Sequence, residues 1–404
     1  MKFISYFILL LMTICHQVYA GGLPLPSVII NPGAQYSNPA RSWQGIPGIE
    51  HSPKGRLWAT WYSGGKVEGA GNYALLSTSA DQGLSWSKAK IVIQGAAGIR
   101  VFDPLPWLDP KGRLWIFFQQ QTATPPGVPT TYGCYAIRTD NPDSENPTWS
   151  PAFLVAEGGI LFGKPIIQDR DDWLAPFFVI GKPSWMSETK GKETGSLLSR
   201  DEGQSWSWQG GTTIPQPIRE FSEATIAPRK DFGLWDNSLW MVIRTKRGLY
   251  NSTSSDQGLT WSNATPIPGF AGPSTRASMR RLTSGAYLLI YNDSLKAHRR
   301  ERLTAWLSED EGRTWKYKLL LDERQNVSYP DVTQLSDGRI YVAYDYGRYI
   351  TGQKQILVST FREQDIRAGK FISKDAHAKI IVNQATEYGN IFELALAAAA
   401  KAKS

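Results

Sequence analysis

Five residues with chemically capable side chains recur at equivalent places in a repeating chain: Asp103, Lys164, Glu223, Arg276 and Tyr329. Each lies a similar short distance before a turn that opens an aromatic strand, and the sixth such place holds Gly45-Ile46-Pro47. Carboxylates transfer protons, a phenol activated by a base attacks electrophiles, and cations hold anionic groups. Repeated units wrapped about one axis bring such residues face to face, so the five together predict a site at the mouth of that axis.

Two repeats define those units. The first is Ser-x-Asp-x-Gly-x-Ser/Thr-Trp, at Ser79–Trp86, Ser199–Trp206, Ser254–Trp261 and Ser308–Trp315. The Asp oxygens can bond nearby N–H groups and Gly takes positive φ without steric cost, so each copy reads as a tight turn whose Trp packs into the adjoining sheet. Asp201, Asp256 and Asp310 stand 55 and 54 residues apart, while Asp81 is 120 before Asp201. A worn copy is expected midway, and Arg138-Thr139-Asp140 with Asn146-Pro147-Thr148-Trp149 lies there. The second repeat is a turn into an apolar strand: Gly55-Arg56-Leu57-Trp58, Gly112-Arg113-Leu114-Trp115, Asp172-Trp173-Leu174, Asn237-Ser238-Leu239-Trp240, Gly285-Ala286-Tyr287-Leu288 and Gly338-Arg339-Ile340-Tyr341. Repeats of this length predict an all-β fold, a six-bladed β-propeller of four-stranded antiparallel blades.

The 37 Gly, 25 Pro and 16 Trp among 404 residues fit a turn-rich protein with a large core. Residues 1–20 read as a cleavable signal peptide, with Lys2 as the positive start, Phe3 to Ile14 as the apolar run and Val18-Tyr19-Ala20 as the cleavage site. That run is too short to span a bilayer comfortably, so a secreted or periplasmic protein with no membrane insertion is expected. Residues 21–385 are assigned to the propeller and 386–404 to an Ala-rich tail. Signal removal leaves Cys134 as the one cysteine, which excludes an intrachain disulfide. The four histidines are scattered and there is no phosphate-binding Gly loop, so neither metal nor organic cofactor is expected. The net charge of +8 suits an anionic ligand. A monomer with no nucleic-acid partner is expected.

Four Asp boxes on a six-bladed pattern resemble the sialidase (neuraminidase) superfamily over roughly residues 40–362. Members act on a sugar whose anomeric carbon bears a carboxylate. A carboxylate nucleophile would be repelled there, and the family uses a Tyr activated by a neighbouring Glu. Ser328-Tyr329-Pro330-Asp331 resembles the segment carrying that nucleophile. Ser222-Glu223-Ala224-Thr225, with Val242-Ile243-Arg244, resembles the segment carrying the Glu and a substrate-binding Arg. His298-Arg299-Arg300-Glu301 resembles the segment with a further Arg, for which Arg300 is the best match. Two Arg forks can hold one carboxylate bidentately.

Two departures bear on the site. The family's early motif is an aromatic residue, then Arg-Ile-Pro; this chain has Trp43-Gln44-Gly45-Ile46-Pro47, with Gly45 where the first Arg of a triad belongs. Arg276 and Arg41 are the candidates to replace it. The family's general acid is an Asp in the segment that follows; here Glu68 is the nearest carboxylate, with Asp103 as its rival.

The resemblance implies a secreted exo-glycosidase acting on sialic acid or a related acidic sugar with retention. Arg244 and Arg300 hold the carboxylate, with Arg276 and Lys164 as further substrate-binding candidates. Glu223 takes the proton of Tyr329, which attacks the anomeric carbon, and Glu68 or Asp103 protonates the leaving oxygen. Two other outcomes stay open: a hydrolase or lyase for another ulosonic or uronic sugar, and a non-catalytic carbohydrate-binding propeller. Trp43, Phe102 and Trp107 are expected to pack in the core rather than stack on sugar.

Overall fold

A computed structural model describes residues 23–38, 41–122, 130–168, 171–231, 234–350 and 352–388. The chain forms six antiparallel sheets in sequence order. Blade I pairs Gln44–His51, Leu57–Ser63, Tyr73–Ser79 and Ile91–Gln94, with Ser27–Ile30 added outside as a fifth strand. Blade II is Ile99–Leu108, Leu114–Thr122, Tyr132–Thr139 and Phe153–Glu157. Blade III opens with the broken strand Gly159–Leu161 and Ile166–Ile167, then Trp173–Val179, Thr194–Ser199 and Ser207–Thr212. Blades IV and V begin at Ala224–Asp231 and Ser278–Arg281, and blade VI runs from Val327–Gln334 to His377–Tyr388. The first strand of each blade lies nearest the axis, as the contacts of Gln44–His51 with Ile99–Leu108 and Val327–Gln334 require. The propeller expected from the repeats is the observed fold.

The Asp boxes sit between the third and fourth strands of blades I, III, IV and V. In blade IV, Ser254 Oγ donates to Asp256 Oδ1 at 2.8 Å, while Thr260 N and Thr260 Oγ1 donate to its two oxygens at 2.9 and 2.6 Å. Gly258 takes φ 89° and Trp261 Nε1 returns to its carbonyl at 2.9 Å. Blade I repeats the pattern around Asp81 and Gly83. The worn copy occupies the same place in blade II, where Trp149 packs edge-on against Trp58 at 5.8 Å. One expected turn is displaced. Asn237-Ser238 lies inside strand Leu234–Thr245, because pairing with the first strand of blade IV continues out to Asp231 and Leu234.

The core lies between blades. Trp58, Trp61, Trp115 and Trp173 are fully buried, and Trp107 meets Trp173 edge-on at 4.7 Å across blades II and III. Truncating one such ring to Ala costs about 3–5 kcal/mol. The ring closes between blades I and VI through side chains. Asp345 Oδ2 accepts from Ile46 N at 2.9 Å, Asp331 Oδ2 accepts from Ile49 N at 2.8 Å, and Gln44 Nε2 donates to Lys354 O at 2.9 Å.

Besides the bulge between Pro228 and Lys230 in blade IV, three innermost strands carry a bulge at a proline, between Gly45 and Gly48, Phe102 and Leu105, and Ser328 and Asp331. In each the residue before a proline takes a left-handed backbone: Ile46 at φ 52°, Asp103 at 47° and Tyr329 at 53°. Residues before proline favour extended backbone, so this conformation costs on the order of 1–3 kcal/mol per site. A bulge re-aims the side chain it carries. Here it directs Asp103 and Tyr329 into one cluster.

Candidate active site

Tyr329 lies on an apolar bed of Trp43, Ile46, Tyr62, Phe102 and Phe162. Four guanidinium groups surround its ring, with Arg348 at 4.4 Å from the centroid, Arg300 at 5.0 Å, Arg276 at 5.5 Å and Arg244 at 6.0 Å. Tyr329, Glu223, Asp103, Arg244, Arg276 and Arg348 are each at most 6% exposed.

Arg244 is the hub. It stands next to last in strand Leu234–Thr245, where its backbone N–H is pinned to Glu223 O at 2.9 Å. Its Nη1 donates to both Glu223 Oε2 and Tyr329 Oη, each at 2.9 Å. Nε donates to Ser274 Oγ at 2.9 Å and Nη2 to Glu220 Oε2 at 3.1 Å. Burial lowers the affinity of Arg244 for its proton, but Glu223 and the nearby phenol outweigh that, and its pKa rises. Glu223 and Tyr329 thus meet through Arg244 Nη1, and no direct hydrogen bond joins them among the described residues. Arg244 brings the pair together, but its fork is already engaged by protein groups.

The proton affinities of the two rival carboxylates are shifted in opposite directions. Glu68 lies in the loop 64–72, which Asn72 braces by donating to Gly64 O at 2.6 Å and accepting from Gly69 N at 2.7 Å. Glu68 Oε1 accepts from Tyr62 Oη at 2.7 Å and from Arg348 Nη1 at 3.0 Å. Burial favours its protonation, yet Arg348 and Tyr62 prevail and hold it below the usual carboxylate range. Asp103 is buried, and its Oδ1 has no hydrogen-bond partner. Burial pushes its pKa up to about 7; Arg276 opposes the rise, while Glu223 and Glu68 add to it.

Lys164 does not join the cluster. Its ammonium points down the axis and donates to Ile49 O at 2.6 Å, Glu50 Oε2 at 3.0 Å and Val332 O at 3.0 Å, with Asp331 Oδ2 at 3.3 Å. It lines an axial cavity of about 360 Å³ together with Asp331, Arg276 and Arg281. Register placed Lys164 on the inner edge of blade III, in the break between Gly159–Leu161 and Ile166–Ile167. Its long stem then carries the charge to two buried carboxylates instead of to the mouth.

Arg41, one candidate for the missing cation, is also committed elsewhere. It is buried at the blade I–VI seam and donates to Gln44 Oε1 and Asn383 Oδ1, each at 2.8 Å. Burial lowers its pKa to about 10. Arg276 does reach the ring. Sequence reasoning missed Arg348, which belongs to neither repeat and follows the second strand of blade VI. Its trace in the sequence is indirect: the glycine at position 45. Trp43, Phe102 and Trp107 are buried core residues, as expected. The exposed aromatic rings near the site are Phe221, 5.7 Å from the Arg244 guanidinium, and Tyr349, 5.0 Å from that of Arg348.

Among solved structures, a Hadza microbial sialidase aligns with a TM-score of 0.61 at 20% identity, covering 81% of this chain and 67% of that one. The intramolecular trans-sialidase of Ruminococcus gnavus, complexed with oseltamivir carboxylate, aligns with a TM-score of 0.64 at 15% identity, covering 84% of this chain and 98% of that one. The α-L-arabinanase of Penicillium chrysogenum, complexed with arabinobiose, aligns at 0.53 and 13% identity, over 85% and 99% of the two chains. At these identities the likeness is one of fold. No curated protein matches the sequence. Residues 55–342 match the BNR repeat-like domain, and the chain belongs to that family.

Proposed function

We propose that this chain is an exported exo-glycosidase that removes terminal sialic acid, or a closely related acidic sugar, from glycans with retention of configuration. The observation that carries this reading is the phenol of Tyr329, held by the same Arg244 nitrogen that holds Glu223, inside a ring of four guanidinium groups. A nucleophile that is neutral when protonated, set among cations, suits an anomeric centre bearing a carboxylate. The solved sialidases of the same fold add weight to it.

In the proposed reaction the sugar carboxylate enters the arginine cluster. Tyr329 Oη bonds to the anomeric carbon as its proton passes to Glu223. The glycosidic oxygen departs with a proton from a carboxylic acid. Asp103 suits that role better than Glu68: it is the one with raised proton affinity and an unbonded oxygen, whereas Arg348 and Tyr62 keep Glu68 ionised. Water then attacks the anomeric carbon, giving its proton back to the acid, and the released phenolate recovers its proton from Glu223. The arginines stabilise the phenolate through charges already fixed in place.

Release of free acid from an aryl sialoside, abolished in Tyr329→Phe, tests the reading. The second reading is another ulosonic or uronic acid as substrate, favoured by Gly45 standing where the resembled family has arginine. Turnover of such a glycoside with none of the sialoside would select it. Binding of acidic glycans without turnover of any would select a non-catalytic propeller.

A further inference from the structure

Gly45 and Arg348 compete for one volume. A Cβ built on Gly45 would overlap Arg348 Cδ, lie 2.6 Å from Arg348 Cγ and reach 3.0 Å from Asp345 Oδ2. Protein interiors are packed too densely to absorb such an overlap. Any side chain at position 45 therefore excludes Arg348 from its present place. The two residues come from opposite sides of the blade I–VI seam, about three-quarters of the chain apart.

Arg348 is built into that place. Its Nε lies 3.1 Å from Asp345 Oδ2 and its Nη1 donates to Glu68 Oε1 at 3.0 Å. Asp345 is itself fixed by Ser328 Oγ at 2.7 Å and Ile46 N at 2.9 Å. The guanidinium is the nearest of the four to the Tyr329 ring, at 4.4 Å. Its Nη2 has no hydrogen-bond partner among the described residues. Among the described residues Arg300 spends only Nη2, on Ser274 O at 2.8 Å, and Arg276 makes one long bond to Phe162 O at 3.4 Å. Arg244, by contrast, is taken up on all three nitrogens by Glu220, Glu223, Tyr329 and Ser274.

We infer that Arg348, with Arg276 and Arg300, forms the carboxylate-binding clamp, and that Gly45 exists to admit it. The cation that the resembled family carries at position 45 is supplied here from blade VI. The inference rests on the reading that the site takes an acidic sugar. It goes further by assigning the anion contact to Arg348 and by giving Arg244 to the nucleophile and its base.

Inhibition of aryl-sialoside hydrolysis by N-acetylneuraminic acid and by its methyl ester, compared in wild type, Arg348→Gln, Arg348→Lys and Gly45→Ala, tests it. Wild type is expected to prefer the acid over the ester by about tenfold or more, as a charge-assisted contact requires. Arg348→Gln should reduce that ratio to near one, leaving the ester little affected. Arg348→Lys keeps the charge next to Glu68 but loses the planar fork, and should lose most of the preference while melting near wild type. Gly45→Ala removes no charge yet should weaken acid binding as Arg348→Gln does. A folded Arg348→Gln or Arg348→Lys protein that keeps the wild-type preference overturns the inference alone. A wild-type enzyme blind to the difference between acid and ester overturns the acidic-sugar reading, and this inference with it.

Discussion

Tyr329 and Asp103 occupy the same position in blades VI and II, each just before a proline on the innermost strand with φ 53° and 47°. A left-handed backbone before proline is unfavourable, so the two bulges hold the candidate nucleophile and the candidate acid in place at a cost borne by the surrounding sheets. Strain at matching points of two blades is how a repeating scaffold turns separate side chains toward one centre.

Tyr329→Phe and Glu223→Gln should each lower kcat by at least about a thousandfold, the usual scale for losing a nucleophile or its base. The phenol accepts one hydrogen bond, from Arg244, so Tyr329→Phe should cost only about 1 kcal/mol in stability. Turnover of an aryl sialoside and thermal melting, measured on the same preparations, separate the two effects.

Asp103 makes stability depend on pH. Its folded pKa of about 7 lies above that of an unfolded aspartate, about 3.9. Between those values the folded chain holds a proton the unfolded chain has lost. The stabilisation is therefore full below about pH 4 and is lost as pH rises through about 7. Asp103→Asn should melt closer to wild type at pH 5 and above it at pH 8. If Asp103 is the proton donor, wild-type kcat should also fall above about pH 7, and the Asn variant should lose most activity on substrates with poor leaving groups.

Lys164→Met should destabilise without touching substrate affinity. It strips the shared cation from Glu50, which neighbouring charges hold at about 2 despite burial, and from Asp331, whose pKa burial already raises. Breaking a buried pair by removing one partner costs about 3–5 kcal/mol. The expected result is a large drop in Tm with KM within about twofold of wild type for the protein that remains folded at low temperature.

Asp256→Ala should behave as a scaffold lesion. It removes the acceptor for Ser254, Thr260 N and Thr260 Oγ1, a turn remote from the arginine cluster. A loss of about 1–3 kcal/mol is expected, with kcat unchanged well below the melting range. Calorimetry and steady-state kinetics check both halves.

The fold was legible because its turns demand particular residues. Only a short acceptor at Asp256 and a glycine at Gly258 build that box, so four copies survive at a readable period. Register on repeated strands pointed Tyr329, Glu223, Asp103 and Arg276 toward one ring, while Arg244 and Arg300 were found through the family resemblance. Arg348 was not, since a loop residue outside the repeat leaves no periodic mark. Lys164 was misread for the opposite reason: register locates a Cα, but a four-carbon stem lets buried Glu50 and Asp331 choose where the ammonium goes. The blade IV hairpin near Asn237 was misplaced because strand pairing continues past a bulge between Pro228 and Lys230, out to Asp231 and Leu234.

The propeller is locked between its first and last blades by Asp331, Asp345 and Gln44 rather than by a strand shared between them. Tyr329, Arg348 and Glu68 straddle that same join, with the latter two bonded across it at 3.0 Å. Parting of this latch on warming would pull the nucleophile's surroundings apart while all six blades keep their own hydrogen bonds. Catalytic inactivation should then precede the loss of β-sheet circular dichroism, and a covalent tie across the join should bring the two temperatures together.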